Sequence, residues 1–344
     1  VVEDKILFST NGNDHQVVLN AWGQDAYFHV KEIISSNTTW SSDKPHVIYS
    51  YCIVDSSYSL TIPEGSKVHS HSNAGLYIYK SSLYVNGTLG QPVVFQQDRM
   101  EDYLLYPSDS IAGQWRGLYF IAPLNSAITH AEIKNAVIGI QIDTFTINNT
   151  VVLDKVQINN SLYSNILTQG ANVNATNCLF GNSNNYSGFI SIGGSVHFEH
   201  CTFANYWYGF RNSPAFVFKD YYQSIDEQLI FRPFDQADFV NCIFYGNGST
   251  DFISDTLGLN FTGQAINVLF DHCLIKSEDT LIDPNIFNNC VLNQEPHFIN
   301  TTDWNFDITD SSSAIDMGSS SMIIDDILER SRNIPNDLGC FEFQ

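Results

Sequence analysis

A pattern of short strands that recurs about every two dozen residues constrains the fold of this chain more than any other feature. Four consecutive segments, from HAEIKNAV to FEHCTFAN, align so that one apolar position is occupied by Ile133, Val156, Cys178 and Cys201. The spacings between these residues are 23, 22 and 23. Upstream, Leu60 and Leu83 are 23 residues apart, and Val94 and Leu118 are 24 apart. A fixed period of this length indicates a repeat architecture.

Each period consists of short runs that alternate apolar and polar residues and end in Asn or Gly. Alternation with a period of two is typical of strands, and Asn and Gly are typical turn residues. A strand-and-turn unit of this length leaves its edges unpaired until the next unit stacks on it. The sequence therefore predicts an all-β fold, a parallel β-helix or β-solenoid with coils of about 22–24 residues.

Cysteine recurs within this pattern, often directly after His or Asn. Successive side chains of a strand point to opposite faces, so we expect Cys201 and Phe203 to share the inward face and His200 to face outward. Beyond Cys201 the spacing loosens to 41, 31 and 17 residues. Stacked coils then predict an interior column of cysteines at one position: Cys178, Cys201, Cys242, Cys273 and Cys290.

Three explanations of these cysteines compete. A zinc site needs converging His and Cys side chains, but adjacent strand residues diverge, and no CxxC or HxxxH spacing occurs. Disulfides between neighbouring coils are within backbone reach, although side chains stacked in parallel point the same way. Free buried thiols are favoured, because small apolar thiols pack well in such a core. We therefore predict no metal site and no cofactor, with calcium kept open.

The balance of charge excludes one class of partner. Acidic residues outnumber basic ones by 37 to 15, which gives a formal net charge of −22. The resulting field repels nucleic acids and other polyanions unless a cation intervenes. Charged residues make up only 15% of the chain, as is typical of extracellular β-proteins. No apolar run is long enough for a membrane-spanning helix.

Longer stretches resemble a known family. The segment that begins WSSDKPHVIYSYC at Trp40, together with the later GQWRGLYF, resembles the right-handed parallel β-helix surface lipoproteins of Bacteroidota, within the pectin-lyase-like superfamily. The resemblance extends from roughly Trp40 to the end of the chain. Near the C terminus, eight residues are similar to a motif called choice-of-anchor Q: Ala314, Ile315, Asp316, Gly318, Asp337, Leu338, Gly339 and Glu342.

The resemblance implies three parts and a location. The opening stretch ILFSTNGNDHQVVLNAWGQDA resembles the last two strands of an immunoglobulin-like domain, so residues 1–28 are predicted to be a fragment of one. Residues 29–310 are predicted to form the right-handed β-helix, and residues 311–344 a C-terminal cap. The family implies a lipid anchor upstream, as the sole membrane contact, and exposure at the outer surface. Its partners are then outer-membrane proteins or other surface lipoproteins.

The resemblance to pectin lyases raises the question of catalysis. Glycoside hydrolysis needs two carboxylates across the scissile bond, and no such set occurs in order on consecutive coils. Lyase chemistry needs a basic residue near a cation that binds carboxylates, for which Asp98 and Arg99, in a loop over 96–113, are the candidates. A structural ion pair is the preferred explanation of Arg99. His69 and His71 share a strand face and are expected to be an exposed, solvated pair.

The stretch 205–236 interrupts the repeat and contains ten aromatic residues. Exposed aromatic side chains stack on sugar rings or anchor protein interfaces. The insertion is also expected to form a hairpin of its own, with Phe216, Phe218 and Phe231 packed against the β-helix wall. The residues predicted to contact a ligand or partner are Tyr206, Trp207, Tyr208, Tyr221, Tyr222 and Phe234.

Three functions remain open on this basis. A non-catalytic surface scaffold that docks to outer-membrane components through its loops is favoured, because the repeat is clear and no catalytic set is found. A β-helix that binds or cleaves a polysaccharide is the second, with a neutral polymer as its partner. An adhesin is the third.

Overall fold

Parallel sheets make up most of the structure. The computed structural model describes residues 2–21, 23, 25–99, 110–144, 148–248, 251–255, 267–278 and 283–344. Within these residues the protein is all-β, with the strands numbered in chain order below. No helix among them is long and apolar enough to cross a bilayer.

Most strands belong to three parallel ladders, in which each strand pairs with an equivalent strand of the next layer. Ladder one contains β7 (Lys67–Ser70), β10 (Val93–Gln97), β13 (Ala131–Lys134), β16 (Gln157–Ser161), β19 (Leu179–Ser183), β22 (Thr202–Asn205), β27 (Ile243–Gly246), β30 (Leu274–Ile275) and β32 (Val291–Leu292). Ladder two contains β3 (Tyr27–Ile34), β5 (His46–Val54), β8 (Gly75–Tyr79), β11 (Gly117–Ile121), β14 (Ile138–Asp143), β17 (Ser164–Gln169), β20 (Tyr186–Ser191), β23 (Phe216–Lys219) and β28 (Phe252–Asp255). Ladder three contains β4 (Thr38–Thr39), β6 (Ser59–Pro63), β9 (Ser82–Asn86), β12 (Ser126–Thr129), β15 (Val151–Asp154), β18 (Val173–Thr176), β21 (Gly194–Glu199), β26 (Phe234–Val240), β29 (Val268–Asp271) and β31 (Phe287–Asn288).

From β6 to β23 the chain visits ladders three, one and two in the same order in every round. Strand β5 pairs with both β7 and β8, which joins ladders one and two. The predicted all-β fold with long parallel sheets is confirmed. Antiparallel pairing is confined to three hairpins among the described strands: β1 (Val2–Thr10) with β2 (Asn13–Ala21), β24 (Tyr221–Gln223) with β25 (Leu229–Phe231), and β33 (Phe298–Asn300) with β34 (Asn305–Ile308).

The register corrects two of the predicted alignments. Ile133 pairs with Ile158, so it does not share the position of Val156. Val94 and Leu118 are not equivalent either, because they lie in ladder one and ladder two. Three apolar faces recur with nearly the same period, so spacing alone does not tell one face from another.

The five repeat cysteines each directly precede a strand of ladder one, and these strands are in mutual register. Cys178, Cys201, Cys242 and Cys273 are buried, whereas Cys290 is partly exposed. None of the seven cysteines forms a disulfide. Burial raises the pKa of the four buried thiols. They are therefore packing groups and not nucleophiles.

Backbone geometry explains the His or Asn that precedes these cysteines. The residue at this corner is left-handed in layer after layer, with φ between 44° and 54° at His130, Lys155, Asn177, His200, Asn241, His272 and Asn289. Asn and His tolerate this conformation better than most side chains. The recurring His-Cys or Asn-Cys pair thus marks the turn from ladder three into ladder one.

Aromatic rings fill the interior of the C-terminal half. Phe198, Phe239, Phe270 and Phe287 occupy equivalent positions in ladder three and stack at centroid distances of 5.4, 4.5 and 5.2 Å. In the N-terminal half the same ladder contributes aliphatic side chains, with Leu60 paired to Leu83 as predicted. Each ring fits because its neighbour one layer away presents a parallel face.

The C-terminal segment, residues 298–344, packs on the outer face of ladder one. It forms two apolar clusters with the wall, which include Leu179, Ala204, Phe306, Ile327 and Cys340 in one and Ile243, Leu274, Ile308, Ala314 and Leu338 in the other. A buried ion pair joins Arg332 to Glu342 at 3.2 Å. Asp337 accepts hydrogen bonds from the backbone of Asp316 and Phe343. Residues of the C-terminal motif therefore hold this segment together.

This segment covers His200, which is predicted only to face outward from the strand. The ring is fully buried, and its Nε2 lies 3.1 Å from the Asn241 amide nitrogen. Contacts with the backbone of Asp337 and Gly339 place the ring beneath the segment. Burial, aided by the charge of Arg332, lowers the pKa of His200 to about 3.

The ends of the ladders differ from the predicted boundaries. Ladder two begins with β3 at Tyr27, inside the predicted fragment 1–28. The last parallel pairing is that of β32, which ends at Leu292, well before residue 310. Ahead of β3, the hairpin of β1 and β2 exposes every described side chain from residue 3 to 19.

Candidate functional site

A groove of 610 Å³ lies where successive ladder-one strands end. Strands β16 and β19 contribute Asn160 and Asn182, and Asn247 follows the end of β27. Because parallel strands end at one edge, residues far apart in sequence meet there. The remaining described lining residues are Ser110, Tyr206, Trp207, Tyr208, Thr301, Thr302, Asp303 and Trp304.

Asparagine side chains form the wall of the groove and continue beneath it. The register aligns Asn135, Asn160, Asn182 and Asn205 in consecutive layers. Asn160 donates to Asn135 Oδ1 at 2.7 Å and to the Ser110 carbonyl at 2.9 Å. The Asn182 oxygen accepts from the backbone of Tyr206 at 2.8 Å. Asn160 and Asn182 have φ values of 60° and 38°, a conformation that Asn tolerates better than most residues.

Two aromatic residues form one side of the groove. Trp207 and Tyr208 lie with ring centroids 4.7 Å apart and planes tilted by 30°. Trp207 is 8% exposed and Tyr208 is 83% exposed, so the pair combines a fixed ring with an accessible one. Tyr206 is half-buried against Phe298, and its burial raises the pKa of its hydroxyl. At this hydroxyl the proton is retained at neutral pH, where it is a hydrogen-bond donor.

A buried ion pair fixes the loop that carries these aromatics. Arg211 Nη2 lies 2.6 Å from Asp251 Oδ1, and Arg211 also donates to the carbonyls of Asn205 and Ser213. Asn247 donates to the Trp207 carbonyl at 3.0 Å. The backbone around Trp207 is thus fixed by Arg211, which binds the Asn205 carbonyl, and by Asn247, which binds the Trp207 carbonyl.

The opposite side of the groove comes from the turn between β33 and β34. Asn300 Oδ1 accepts hydrogen bonds from the backbone of Thr302 and Asp303, at 3.1 and 3.2 Å. Its amide nitrogen donates to Asp303 Oδ2 at 2.8 Å. This turn lies more than 50 residues beyond Asn247 and more than 90 beyond Tyr208, so no local sequence pattern could have linked the two sides.

The other predicted contact residues lie elsewhere. Tyr221 and Tyr222 lie on the β24–β25 hairpin and do not line the groove. Phe234 is 5% exposed and stacks on Phe218 at 4.7 Å, so its assignment to ligand contact is wrong. It opens β26, where the pleat turns its ring toward the core cluster.

The insertion is also less separate than predicted. Phe216 and Phe218 belong to β23, which pairs with β20 and β28 inside ladder two. Phe231 lies in β25 of the β24–β25 hairpin and is partly exposed. Only the middle of the insertion therefore forms its own hairpin.

A second cleft of 370 Å³ contains the candidates Asp98 and Arg99, beside Gln97 and Gln114. His71 Nδ1 lies 2.7 Å from Asp98 Oδ2, a pairing that accounts for this carboxylate. Residues 100–109 of the predicted loop lie outside the described residues. His69 is 8% exposed, and its Nδ1 lies 3.0 Å from the Gln97 carbonyl. The expected exposed histidine pair is therefore wrong for His69.

The described lining residues of the groove are mostly amides, hydroxyls and aromatic rings. Among its described lining residues, Asp303 carries the only carboxylate, and none is Lys or Arg. Hydrolysis of a glycosidic bond by the usual route needs two carboxyl groups. Amides, hydroxyls and aromatic faces instead suit neutral polar ligands with apolar ring faces.

Comparisons with known proteins give no family for this chain. No model of a protein family matches it, and no curated protein matches it significantly.

Proposed function

We propose that this protein is a non-catalytic right-handed parallel β-helix that binds a neutral glycan in the groove. The repeated visits to ladders three, one and two support the β-helix, and parallel crossovers are almost always right-handed. The resemblance at Trp40 and beyond supports a place on the cell surface, with an upstream lipid anchor and an immunoglobulin-like N-terminal part as further elements of the proposal.

The Trp207–Tyr208 pair carries this proposal. Sugar rings present an apolar face of C–H groups that stacks on aromatic rings, while their hydroxyls pair with amides and hydroxyls. Here Asn182, Asn247 and Thr302 line the same groove as the two rings. The net charge of −22 and the absence of Lys and Arg among the described lining residues disfavour an acidic polymer.

Affinity electrophoresis with a panel of neutral polysaccharides tests the proposal. At least one polymer is expected to retard the wild-type protein, and Trp207→Ala or Tyr208→Ala is expected to weaken that retardation by about two- to twelvefold, because aromatic stacking is worth about 0.5–1.5 kcal/mol. Phe210→Ala is the matched control, since Phe210 is 87% exposed on the same loop but does not line the groove.

Two results would refute glycan binding. One is that no neutral polymer retards the wild-type protein. The other is that Phe210→Ala and Trp207→Ala have the same effect. Release of reducing ends or unsaturated products during the same incubations would instead identify an enzyme.

A protein scaffold is the second candidate, because the insertion 205–236 exposes large apolar side chains. Phe210, Ile225 and Leu229 are 87%, 102% and 55% exposed. Exposed apolar residues that cluster mark contact sites for other proteins. Cross-linking of native outer membranes tests this: partners lost in Phe210→Ser and Ile225→Ser but kept in Trp207→Ala would support the scaffold, and an uncross-linked protein would exclude it.

A further inference from the structure

Three potential metal ligands converge at the first layer of the parallel ladders. His29 and Glu32 come from β3, the first strand of ladder two, and Cys52 comes from β5 in the next layer. One ligand atom from each residue lies within 4.8 Å of the other two. The cluster is remote from the groove in sequence and shares no residue with it.

An irregular backbone creates this cluster. On a regular strand, residues three apart point to opposite faces. In β3 the register shifts between Val30 and Glu32, and Lys31 has a φ of 52°. Lys31 of β3 lies opposite two residues of β5, Ser50 and Tyr51, and such an irregularity redirects the side chains that follow it. Glu32 consequently pairs with Cys52 across the ladder while contacting the ring of His29.

The His29 ring is held in one orientation by its surroundings. Its Nε2 lies 2.8 Å from His46 Nδ1, and His46 Nε2 lies 2.7 Å from the Ser41 carbonyl. The indole of Trp40 stacks on both rings, at 4.4 Å from His29 and 4.3 Å from His46. Metal-binding histidines are typically oriented in this way, with the second nitrogen engaged by a neighbouring group. This leaves Nδ1 of His29 directed at Glu32.

The three ligand side chains are buried to different extents, and the partly exposed Glu32 leaves a path for an ion from solvent. Cys52 is fully buried and the His29 side chain is 10% exposed, whereas the Glu32 side chain is 41% exposed. Atoms bound to one tetrahedral zinc ion lie about 3.3–3.8 Å apart. Rotation of the partly exposed Glu32 away from His29 would open the space that an ion needs.

We propose that His29, Glu32 and Cys52 bind a zinc ion. Imidazole nitrogen, thiolate and carboxylate oxygen are the ligands that zinc takes in proteins, whereas calcium and magnesium take oxygen ligands alone. Three protein ligands leave a fourth position for water on the side of Glu32. The competing explanation is a polar plug that closes the end of the apolar interior, with a His29–Glu32 pair that binds no ion.

Cobalt titration of the chelator-treated full chain separates these explanations. One equivalent of Co²⁺ is expected to produce a sulfur-to-cobalt charge-transfer band, and one equivalent of Zn²⁺ is expected to remove it. Cys52→Ser should abolish the band, and Glu32→Gln should weaken cobalt binding tenfold or more. Cys178→Ser is the matched control, because Cys178 is equally buried but lies in the cysteine column, and it should retain the band.

The wild-type titration is decisive even if a variant fails to fold. A folded wild-type protein, judged by circular dichroism, that gives no charge-transfer band would overturn the zinc site and leave the polar plug. A band that persists in Cys52→Ser would overturn it as well. Zn²⁺ should also raise the Tm of the wild-type protein and of Cys178→Ser, because an ion bound only by the folded state stabilises it.

Discussion

Arg211 and Asp251 form an ion pair of 2.6 Å whose two side chains are only 4% and 0% exposed. The pair ties the loop after β22 to the residue that precedes β28. Trp207 and Tyr208, the rings proposed to bind a glycan, lie on this loop. The position of the groove's aromatic side therefore depends on a contact between residues 40 positions apart.

Loss of one partner in this pair should destabilise the loop strongly. Asp251→Ala leaves a buried guanidinium uncompensated, which costs about 3–5 kcal/mol. We expect earlier unfolding in urea, faster proteolysis between residues 206 and 215, and weaker glycan retention. Lys134→Met is the control, because Lys134 pairs with Glu132 at the surface and should cost less than about 1 kcal/mol. Equal shifts in both variants would contradict this account.

His200 should make the protein sensitive to mild acid. Its folded pKa of about 3 lies below the ordinary 6.5 of an exposed histidine, so the unfolded chain binds a proton that the folded chain excludes. The contribution of His200 to the free energy of unfolding is fully present above pH 6.5 and is lost as the pH is lowered toward 3. This group alone should cost about 2 kcal/mol between pH 7.5 and 5.

Substitution of His200 by Asn tests this pH dependence. Asn accepts the left-handed backbone, as Asn241 does one layer on. Urea midpoints at pH 7.5 and 5 should differ less in His200→Asn than in the wild type. His272→Asn changes the same corner at a partly exposed position, and its urea midpoints at the two pH values should differ as much as those of the wild type. If the midpoints of His200→Asn differ as much as those of the wild type, other groups cause the acid sensitivity.

Cys290 should be the most reactive thiol in the folded protein. A hydrogen bond from Cys273 lowers the pKa of Cys290, and its residue is partly exposed, whereas the other six cysteines are buried. The thiolate is the reactive species. Iodoacetamide should add a single label to the folded chain and seven to the denatured chain, as read by intact mass. Labelling of folded Cys290→Ser at the wild-type rate would contradict this.

Gly117 should be irreplaceable where β11 begins. Its φ is 117°, and a Cβ there would lie 1.7 Å from the Ile138 carbonyl oxygen of the next layer. Gly117→Ala should therefore lower the free energy of unfolding by more than about 2 kcal/mol. Gly90→Ala, with no atom within 4 Å of the added carbon, is the control. Matching urea midpoints for the two variants would disprove the steric argument.

The repeat could be predicted because strand alternation and turn chemistry are local. Leu60 and Leu83 pair as their spacing indicated, and the strands after Cys178, Cys201, Cys242, Cys273 and Cys290 are in register. The alignment of Ile133 failed because several apolar faces share one period. The His or Asn before each cysteine carried a signal for a left-handed corner that pleating alone did not reveal.

Sequence by itself determined the all-β class, the parallel strands and the column of cysteines, since each follows from residues close together in the chain. Only tertiary structure decided what lies on the outer wall. His200 is buried because a segment more than a hundred residues away packs over it. Trp207 and Trp304 line one groove although they are far apart in the chain. The cluster at His29 likewise depends on the irregular register between Lys31 of β3 and the facing residues of β5. Packing between distant segments leaves no periodic trace, so these contacts appear only once the chain is folded.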